Sequence, residues 1–121
     1  MSGTLQALAG VRVWVCDTAG PQVRAERDAL DILGAAMGHD ARVVAIPAGR
    51  LSPEFLDLST RLAGEVLQKF VNYGARVAIV GDVSGAVAAS KALADFVRES
   101  NRGRHVWFVP HLAALEARLS D

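Results

Sequence analysis

The sequence predicts a single compact α/β domain with a mostly parallel sheet of four to five strands and helices that alternate with them. Three observations lead to this fold class. Short apolar runs rich in β-branched and aromatic residues recur along the chain, amphipathic helical patterns separate them, and a breaker or small polar residue follows each run. Helices between successive strands favour parallel pairing with right-handed crossovers.

The chain has 121 residues, which is the usual size of one domain. Residues 11–121 are expected to form that domain, and residues 1–10 are expected to be a flexible N-terminal segment. No internal linker, repeat or low-complexity stretch divides the sequence.

Four apolar runs are predicted to be strands, namely residues 11–16, 42–46, 76–80 and 105–109. Their apolar residues do not alternate cleanly with polar ones, which is typical of strands buried on both faces. The first run is a partial exception, because Arg12 interrupts it.

Apolar residues at helical spacing fill the gaps between these runs. A first helix follows the spacing of apolar residues over 23–37 and is expected to stop at Gly38. Ser52 and Pro53 are expected to begin a short helical turn, because serine caps a helix and proline is tolerated in its first turn.

Residues 60–73 form the clearest amphipathic pattern, and Gly74 is the expected end of that helix. A third helix is expected from the apolar spacing over residues 86–97, with Gly103 as its stop, and residues 112–119 are expected to form a last short helix. The resulting order is β-α-β-α-β-α-β-α.

The composition narrows the function classes. Lys and Arg number 13, as do Asp and Glu, so the formal net charge is zero. A broad surface for nucleic acid or an anionic membrane needs surplus positive charge, and 6% aromatic residues leave little for base stacking. No apolar stretch approaches the ~20 residues of a membrane span, and the first residues do not resemble a secretory signal. A cytoplasmic protein is expected, with neither nucleic acid nor a membrane as partner.

Cys16 is the single cysteine and lies inside an apolar run. We interpret it as a small buried apolar side chain in a reducing compartment.

The sequence contains no recognisable catalytic or cofactor-binding motif. The three histidines show no metal-ligand spacing with Cys16 or with one another, and no nucleophile elbow is present. The loop from Gly81 to Gly85 follows a strand but lacks the glycine pattern of a dinucleotide site. We therefore expect no metal, no cofactor and no assignable catalytic residue, and a non-catalytic role is favoured over an enzyme.

Polar residues at strand ends nevertheless define one alternative. Asp17 and Asp82 each follow a predicted strand, and Ser84 is two residues beyond Asp82. The carboxyl edge of a parallel sheet is the usual ligand side, so these three residues are candidate contacts of a small-molecule site or an enzyme. Aspartate also favours such turns for purely structural reasons.

A local basic loop defines a second candidate. Asn101, Arg102 and Arg104 lie between the third helix and the last strand, where they could hold an anion or an acidic partner. Cations at a helix C-terminus also complement its dipole, which is the structural explanation.

A third candidate is the 60–73 helix. Arg61, Glu65 and Lys69 are spaced by four residues on its polar face, where pairs of opposite charge contribute only ~0.2–0.5 kcal/mol each. This face is either a partner-binding surface or simply solvated. Ser59 and Thr60 carry hydroxyls at the expected helix start, where a phosphate would be stabilised by the helix dipole and where capping is the simpler role.

Three phrases carry a family resemblance: "LAGEVLQKFVNY", "VAIVGD" and "LADFVRESNRGRHVWFV". They closely resemble DUF4180, a bacterial family known as a domain of unknown function, and the similarity covers residues 11–119. The resemblance implies a small cytoplasmic protein and brings no activity with it. In that family, glycine is usual at the position of Arg61, and a capping serine is usual at the position of Ala25.

A looser resemblance is to the STAS domains of anti-sigma-factor antagonists. "FLDLSTRLAGEVL" is similar in layout to their strand, Asp-Ser-Ser-Gly and helix segment. The resemblance implies a STAS-like fold and a phosphorylated hydroxyl at Ser59 or Thr60 that switches partner binding. The match is incomplete, since Asp57 is followed by Leu58 rather than serine.

Together these observations predict a cytoplasmic regulatory module that binds a protein partner, with phosphorylation control at Ser59 or Thr60. The expected surface combines those residues with Arg61, Glu65 and Lys69 and reaches the 101–104 loop. A homodimer is compatible with the sequence.

Overall fold

A five-stranded sheet with strand order β1-β2-β3-β4-β5 forms the centre of the protein in a computed structural model that describes residues 2–121. The first two strands are antiparallel, and β2 to β5 are parallel to one another. The strands are β1 (Gly3–Leu8), β2 (Val11–Cys16), β3 (Val43–Pro47), β4 (Arg76–Val80) and β5 (Val106–Val109). The predicted α/β class with a mostly parallel sheet is confirmed.

Six α-helices connect or follow the strands within residues 2–121. They are α1 (Glu26–Gly38), α2 (Pro53–Leu56), α3 (Leu62–Asn72), α4 (Ser84–Ala89), α5 (Lys91–Arg102) and α6 (Leu112–Leu119). None of these helices combines the length and the apolar character needed to cross a bilayer.

The two faces of the sheet have separate cores. Val77 and Ile79 of β4 point to the face covered by α1, α3 and α5, whereas Ala78 and Val80 point to the face covered by α6. Right-handed crossovers between sequential neighbours place the connecting helices on one side. The other side is left to α6, whose Leu115 is fully buried.

The N-terminal strand differs from expectation. Residues 3–8, which we expected to lie in a flexible segment outside the domain, instead pair with β2 over its whole length. Leu5 lies opposite Trp14 and Leu8 opposite Val11, so the strand extends both cores. Ala9 and Gly10 both have positive φ, as a tight two-residue hairpin turn requires. Met1 lies outside the described residues.

Helix boundaries also differ. The expected 86–97 helix is two helices that break at Ser90, whose hydroxyl accepts a hydrogen bond from Leu93 N–H and caps α5. Val23 lies before α1 in an isolated bridge with Leu51. Ala25 occupies the N-cap position of α1 without a side-chain cap, and the Asp28 carboxylate accepts from the N–H of Ala25.

The start of α3 is shifted from residue 60 to Leu62. Residues 58–60 form a 3₁₀ turn, and Arg61 joins this turn to α3 in the left-handed conformation, with φ 65° and ψ 4°. Glycine adopts this conformation without a steric penalty, whereas other residues do not. This geometry explains why glycine suits the position of Arg61.

We predict that Arg61→Gly raises the free energy of unfolding by about 1 kcal/mol, because it relieves the left-handed backbone. Arg61 is exposed, so little packing is lost. Urea denaturation of the purified chain measures the effect. Arg61→Ala is the matched control, since it removes the same side chain and keeps the penalty. Equal stabilities of the two variants would contradict the explanation.

Candidate functional site

A basic cleft opens where β4 and β5 begin, beside the end of α6. Its volume is about 770 Å³. Its lining residues are Arg76, Arg102, Gly103, Arg104, His105, Trp107, Arg118 and Asp121. Four guanidinium groups therefore line this cleft in a chain whose formal net charge is zero.

The pairing register of β4 and β5 brings three lining residues of the basic cleft together, namely Arg76, His105 and Trp107. Val77 pairs with Val106, so Arg76 at the start of β4 lies next to His105. Ala78 pairs with Trp107, and side chains two residues apart on a strand share a face, so Arg76 and Trp107 lie on the same side of the sheet. That side is the one covered by α6, which contributes Arg118.

Trp107 is the fixed centre of the basic cleft. It is 5% exposed, and its indole N–H donates to the carbonyl of Gly103 at 2.9 Å. The guanidinium carbon of Arg118 lies 4.7 Å from the ring centroid, and that of Arg76 lies 5.9 Å away. Such cation–π contacts contribute about 0.5–2 kcal/mol each and hold both cations against the ring.

The remaining cations of the basic cleft are less constrained. Arg102 has a 3.4 Å ion pair with Glu99, and both side chains are about two-thirds exposed or more, at 71% and 66%. The Arg104 side chain forms no ion pair or hydrogen bond with any residue from 2 to 121. Asp121 is the acidic side chain in the lining, so positive charge remains in excess.

The three residues of the predicted basic loop have different surroundings. Arg102 and Arg104 line the basic cleft. Asn101 makes contacts within the chain instead: its side chain accepts from Phe108 N–H at 2.8 Å and donates to Phe108 C=O at 3.3 Å. It thereby takes the place of a neighbouring strand at the outer edge of β5. Its own carbonyl accepts a 2.6 Å hydrogen bond from Arg118.

Ser59 and Thr60 are both exposed, but their hydroxyls have partners. Ser59 Oγ donates to the Asp57 carboxylate at 2.6 Å. Thr60 Oγ1 lies 2.7 Å from the Glu54 carbonyl and accepts from Leu62 N–H at 3.2 Å. Thr60 therefore takes part in the start of α3 from the preceding 3₁₀ turn.

The polar face of α3 borders a shallow groove beside α1. Glu65 and Lys69 line it, and it has a volume of about 330 Å³. Neither Arg61–Glu65 nor Glu65–Lys69 is among the ion pairs of the described chain. This groove shares no lining residue with the basic cleft and lies on the α1/α3 side of the sheet, so the structure does not join the two surfaces.

The carboxyl-edge candidates are not gathered into a pocket. Asp82 accepts from Ser84 N–H at 2.8 Å, and hydrogen bonding from Ser84 lowers the pKa of this exposed carboxyl. The Asp17 carbonyl accepts from Arg50 at 2.7 Å. A cavity of about 140 Å³ lies at this edge, and neither aspartate nor Ser84 lines it. Its lining residues are Val15, Cys16, Thr18, Ala45, Pro47, Val80 and Leu112.

Arg50 is a buried residue of this edge that sequence reasoning missed. It is 2% exposed and donates to the carbonyls of Asp17 and Pro21 at 2.7 and 2.8 Å. Gly20 packs against the guanidinium, since a Cβ there would lie 3.1 Å from its central carbon. These contacts hold the loop after β2. Nothing in the sequence marks this arginine apart from the others.

Sequence reasoning also missed Arg76, His105, Trp107 and Arg118. Arg76 and His105 begin two adjacent predicted strands, which was a usable signal. Arg118 lies in a separate helix, and only the packing of α6 places it over Trp107. No group of three potential metal ligands occurs among residues 2–121.

Cys16 is buried, as predicted, in the α1/α3 core. Burial raises the pKa of its thiol from 9.0 to about 11, and the positive charge of Arg50 opposes this only in part. A thiol with a raised pKa is a poor nucleophile at neutral pH. The observation fits a packing role for this side chain.

The raised pKa predicts a loss of stability at high pH. The folded state retains the proton more tightly than the unfolded state, so the stabilising effect is complete below pH 9 and is lost as the pH rises towards 11. The loss attributable to the thiol is about 2–3 kcal/mol. Urea denaturation between these pH values measures it. The free energy of unfolding of the Cys16→Ala variant should fall less steeply with pH than that of the unchanged protein. Identical pH slopes for the two proteins would contradict the assignment of this loss to the Cys16 thiol.

A family model described as "Domain of unknown function (DUF4180)" matches residues 8–119. The match includes both the basic cleft up to Arg118 and the turn that carries Ser59 and Thr60. No curated protein matches the chain. No solved structure matches it either.

Proposed function

This chain belongs to the DUF4180 family, and we propose that it is a non-catalytic regulatory module that binds an acidic segment of another protein in the basic cleft. The observation that carries the proposal is the convergence of four arginines on that cleft. Localised positive charge in a neutral protein attracts an oppositely charged partner and sets its orientation.

The residue type supports carboxylate recognition. All four cations are arginines, whose planar guanidinium groups bind carboxylates with two parallel hydrogen bonds. Arg104 has an uncommitted side chain within the described part of the protein, and Arg76 is held at the ring of Trp107. These guanidinium groups are therefore available to bind an acidic side chain.

The residue composition of the cleft lining supports a polypeptide rather than a compact metabolite as ligand. Small-molecule pockets are lined mostly by apolar side chains with a few polar groups. The basic cleft has the reverse composition, and Trp107 is its one large apolar side chain within the described lining. A chain segment with several acidic residues can contact several arginines at once.

A cytoplasmic location is part of the proposal. The cysteine is single and unpaired, and it is buried, which fits a reducing compartment. The STAS-like regulatory role and the homodimer remain proposals as well. The molar mass of the protein in solution tests the homodimer.

We predict that the chain binds a fluorescent oligo-aspartate peptide at low ionic strength and that Arg104→Gln weakens this binding about threefold to tenfold, or ~0.7–1.4 kcal/mol. Fluorescence anisotropy measures the affinity. Binding should weaken as salt is added, because exposed charges are screened.

Arg27→Gln is the matched control for this experiment. Arg27 is exposed on α1, which packs on the opposite face of the sheet from the basic cleft. The control removes the same charge and should leave the affinity unchanged. Equal losses in the two variants would contradict the cleft as the binding surface.

Phosphorylation at Ser59 is the regulatory part of the proposal, and it is supported by the exposure of Ser59 and by its contact with Asp57. A phosphate on Ser59 would lie beside the Asp57 carboxylate. Like-charge repulsion would then open the 3₁₀ turn before α3. The switch would act by loosening this turn.

We therefore predict that Ser59→Glu destabilises the protein by about 1 kcal/mol more than Ser59→Ala, because only the former adds repulsion to the loss of the hydrogen bond. Urea denaturation gives the difference in unfolding free energy, and hydrogen exchange at Leu62 reports the local opening. If the glutamate variant is as stable as the alanine variant, this mode of regulation is wrong.

A further inference from the structure

We propose that the group recognised in the basic cleft is a phosphate monoester on the acidic partner segment. The inference rests on the proposed function and specifies its ligand chemistry. It follows from the number and type of the guanidinium groups that line the cleft and from the placement of Arg118 over Trp107.

The charge of the cleft exceeds what one carboxylate balances. A phosphate monoester carries about −1.5 to −2 charges at pH 7 and presents three acceptor oxygens. A carboxylate presents one charge and two oxygens, which a single guanidinium can satisfy. Four arginines line the cleft against one carboxylate, Asp121. A dianion therefore matches this surplus better than a carboxylate does.

The choice of cation points the same way. The chain has two lysines, Lys69 on α3 and Lys91 on α5, and neither lines the basic cleft. Arginine offers five N–H donors in a rigid fork that fits the oxygens of a phosphate. The donors are therefore directional as well as positively charged.

Arg118 is placed before any ligand arrives. One of its N–H groups donates to the Asn101 carbonyl at 2.6 Å, and its guanidinium lies 4.7 Å from the Trp107 ring centroid. Its other N–H groups remain for a ligand. Fixing the side chain in advance reduces the entropy lost on binding.

Two further arginines can complete the contact. Arg104 has no side-chain partner among residues 2–121, and the exposed ion pair of Arg102 with Glu99 is weak enough to exchange for a phosphate. Arg118 would thus orient the phosphate, while Arg102 at the end of α5 and Arg104 in the following loop close on it.

The test compares one short synthetic acidic peptide in three forms, with serine, aspartate or phosphoserine at its central position. Binding to the full chain is measured by anisotropy at constant ionic strength. We expect the phosphoserine form to bind at least about tenfold more tightly than the aspartate form, a difference of ~1.4 kcal/mol. Inorganic phosphate at millimolar concentration should compete with the phosphoserine form.

Two conservative variants test the directional contacts. Arg118→Lys keeps the charge and loses the fork, so both forms should bind more weakly. The phosphoserine form should lose more affinity than the aspartate form, because its three oxygens use more of the directional donors, so the preference for phosphoserine should fall. Arg104→Lys provides the same test at a side chain that no internal contact holds, so its fold should be intact. Arg27→Gln should preserve the full preference.

The outcomes separate the two proposals. Equal affinities for the aspartate and phosphoserine forms would overturn the phosphate assignment and leave the acidic-partner function standing. Failure of all three peptides to bind at low ionic strength would overturn both. Binding of a single-stranded RNA of equal charge as tightly as the phosphoserine peptide would also overturn the assignment, since it would show general attraction to phosphate rather than recognition of a monoester.

Discussion

Both faces of the parallel sheet are apolar and have to be shielded from water, and on one face the short helix α6 provides this cover. Strands β2 to β5 lie side by side in chain order, so right-handed crossovers place α1, α3 and α5 on the same face. The central strands are apolar on both faces, with Ala45 and Ala78 as buried on one side as Val44 and Val77 on the other. Burial of the second face therefore requires α6 to return across the sheet.

The size of α6 shapes the surface that results. Its eight residues extend only about 12 Å at 1.5 Å per residue, which is enough to bury Leu115 over the middle of the sheet. Openings remain at its two ends. Leu112 at its start lines the apolar cavity beside Cys16, and Arg118 near its end lines the basic cleft. The cleft is thus a consequence of how the second face is covered.

Two local features are energetically unfavourable, and hydrogen bonds from neighbouring residues compensate for them in part. Arg61 has a left-handed conformation between two helical turns, while Thr60 supplies an acceptor for Leu62 N–H. Ala25 gives α1 no side-chain cap, while Asp28 accepts from the backbone before it. Such positions make the chain less stable than its fold allows without altering that fold.

The order of elements was readable along the chain because it arises from local patterns. Apolar runs marked β2 to β5, aspartate, glycine or proline marked their ends, and helical spacing marked α1, α3 and α6. β1 was not recognised because its apolar residues, Leu5, Ala7 and Leu8, form no continuous run and because its stability comes from pairing with β2. The net charge of the chain and the basic segment that contains Arg102 and Arg104 could also be identified from the sequence.

The candidate site could not be predicted from local sequence patterns, because its lining residues are brought together by contacts between separate segments of the chain. Arg76, Trp107 and Arg118 belong to three different elements, β4, β5 and α6, and sheet register and the packing of α6 bring them together. Tertiary contacts also decide the role of Asn101, which was a candidate partner contact in the sequence and instead bonds to the free edge of β5. The secondary structure of a segment depends mainly on neighbouring residues, so the sequence predicts it. The grouping of charged side chains depends on which faces of the sheet and helices pack together, and only the tertiary structure decides that.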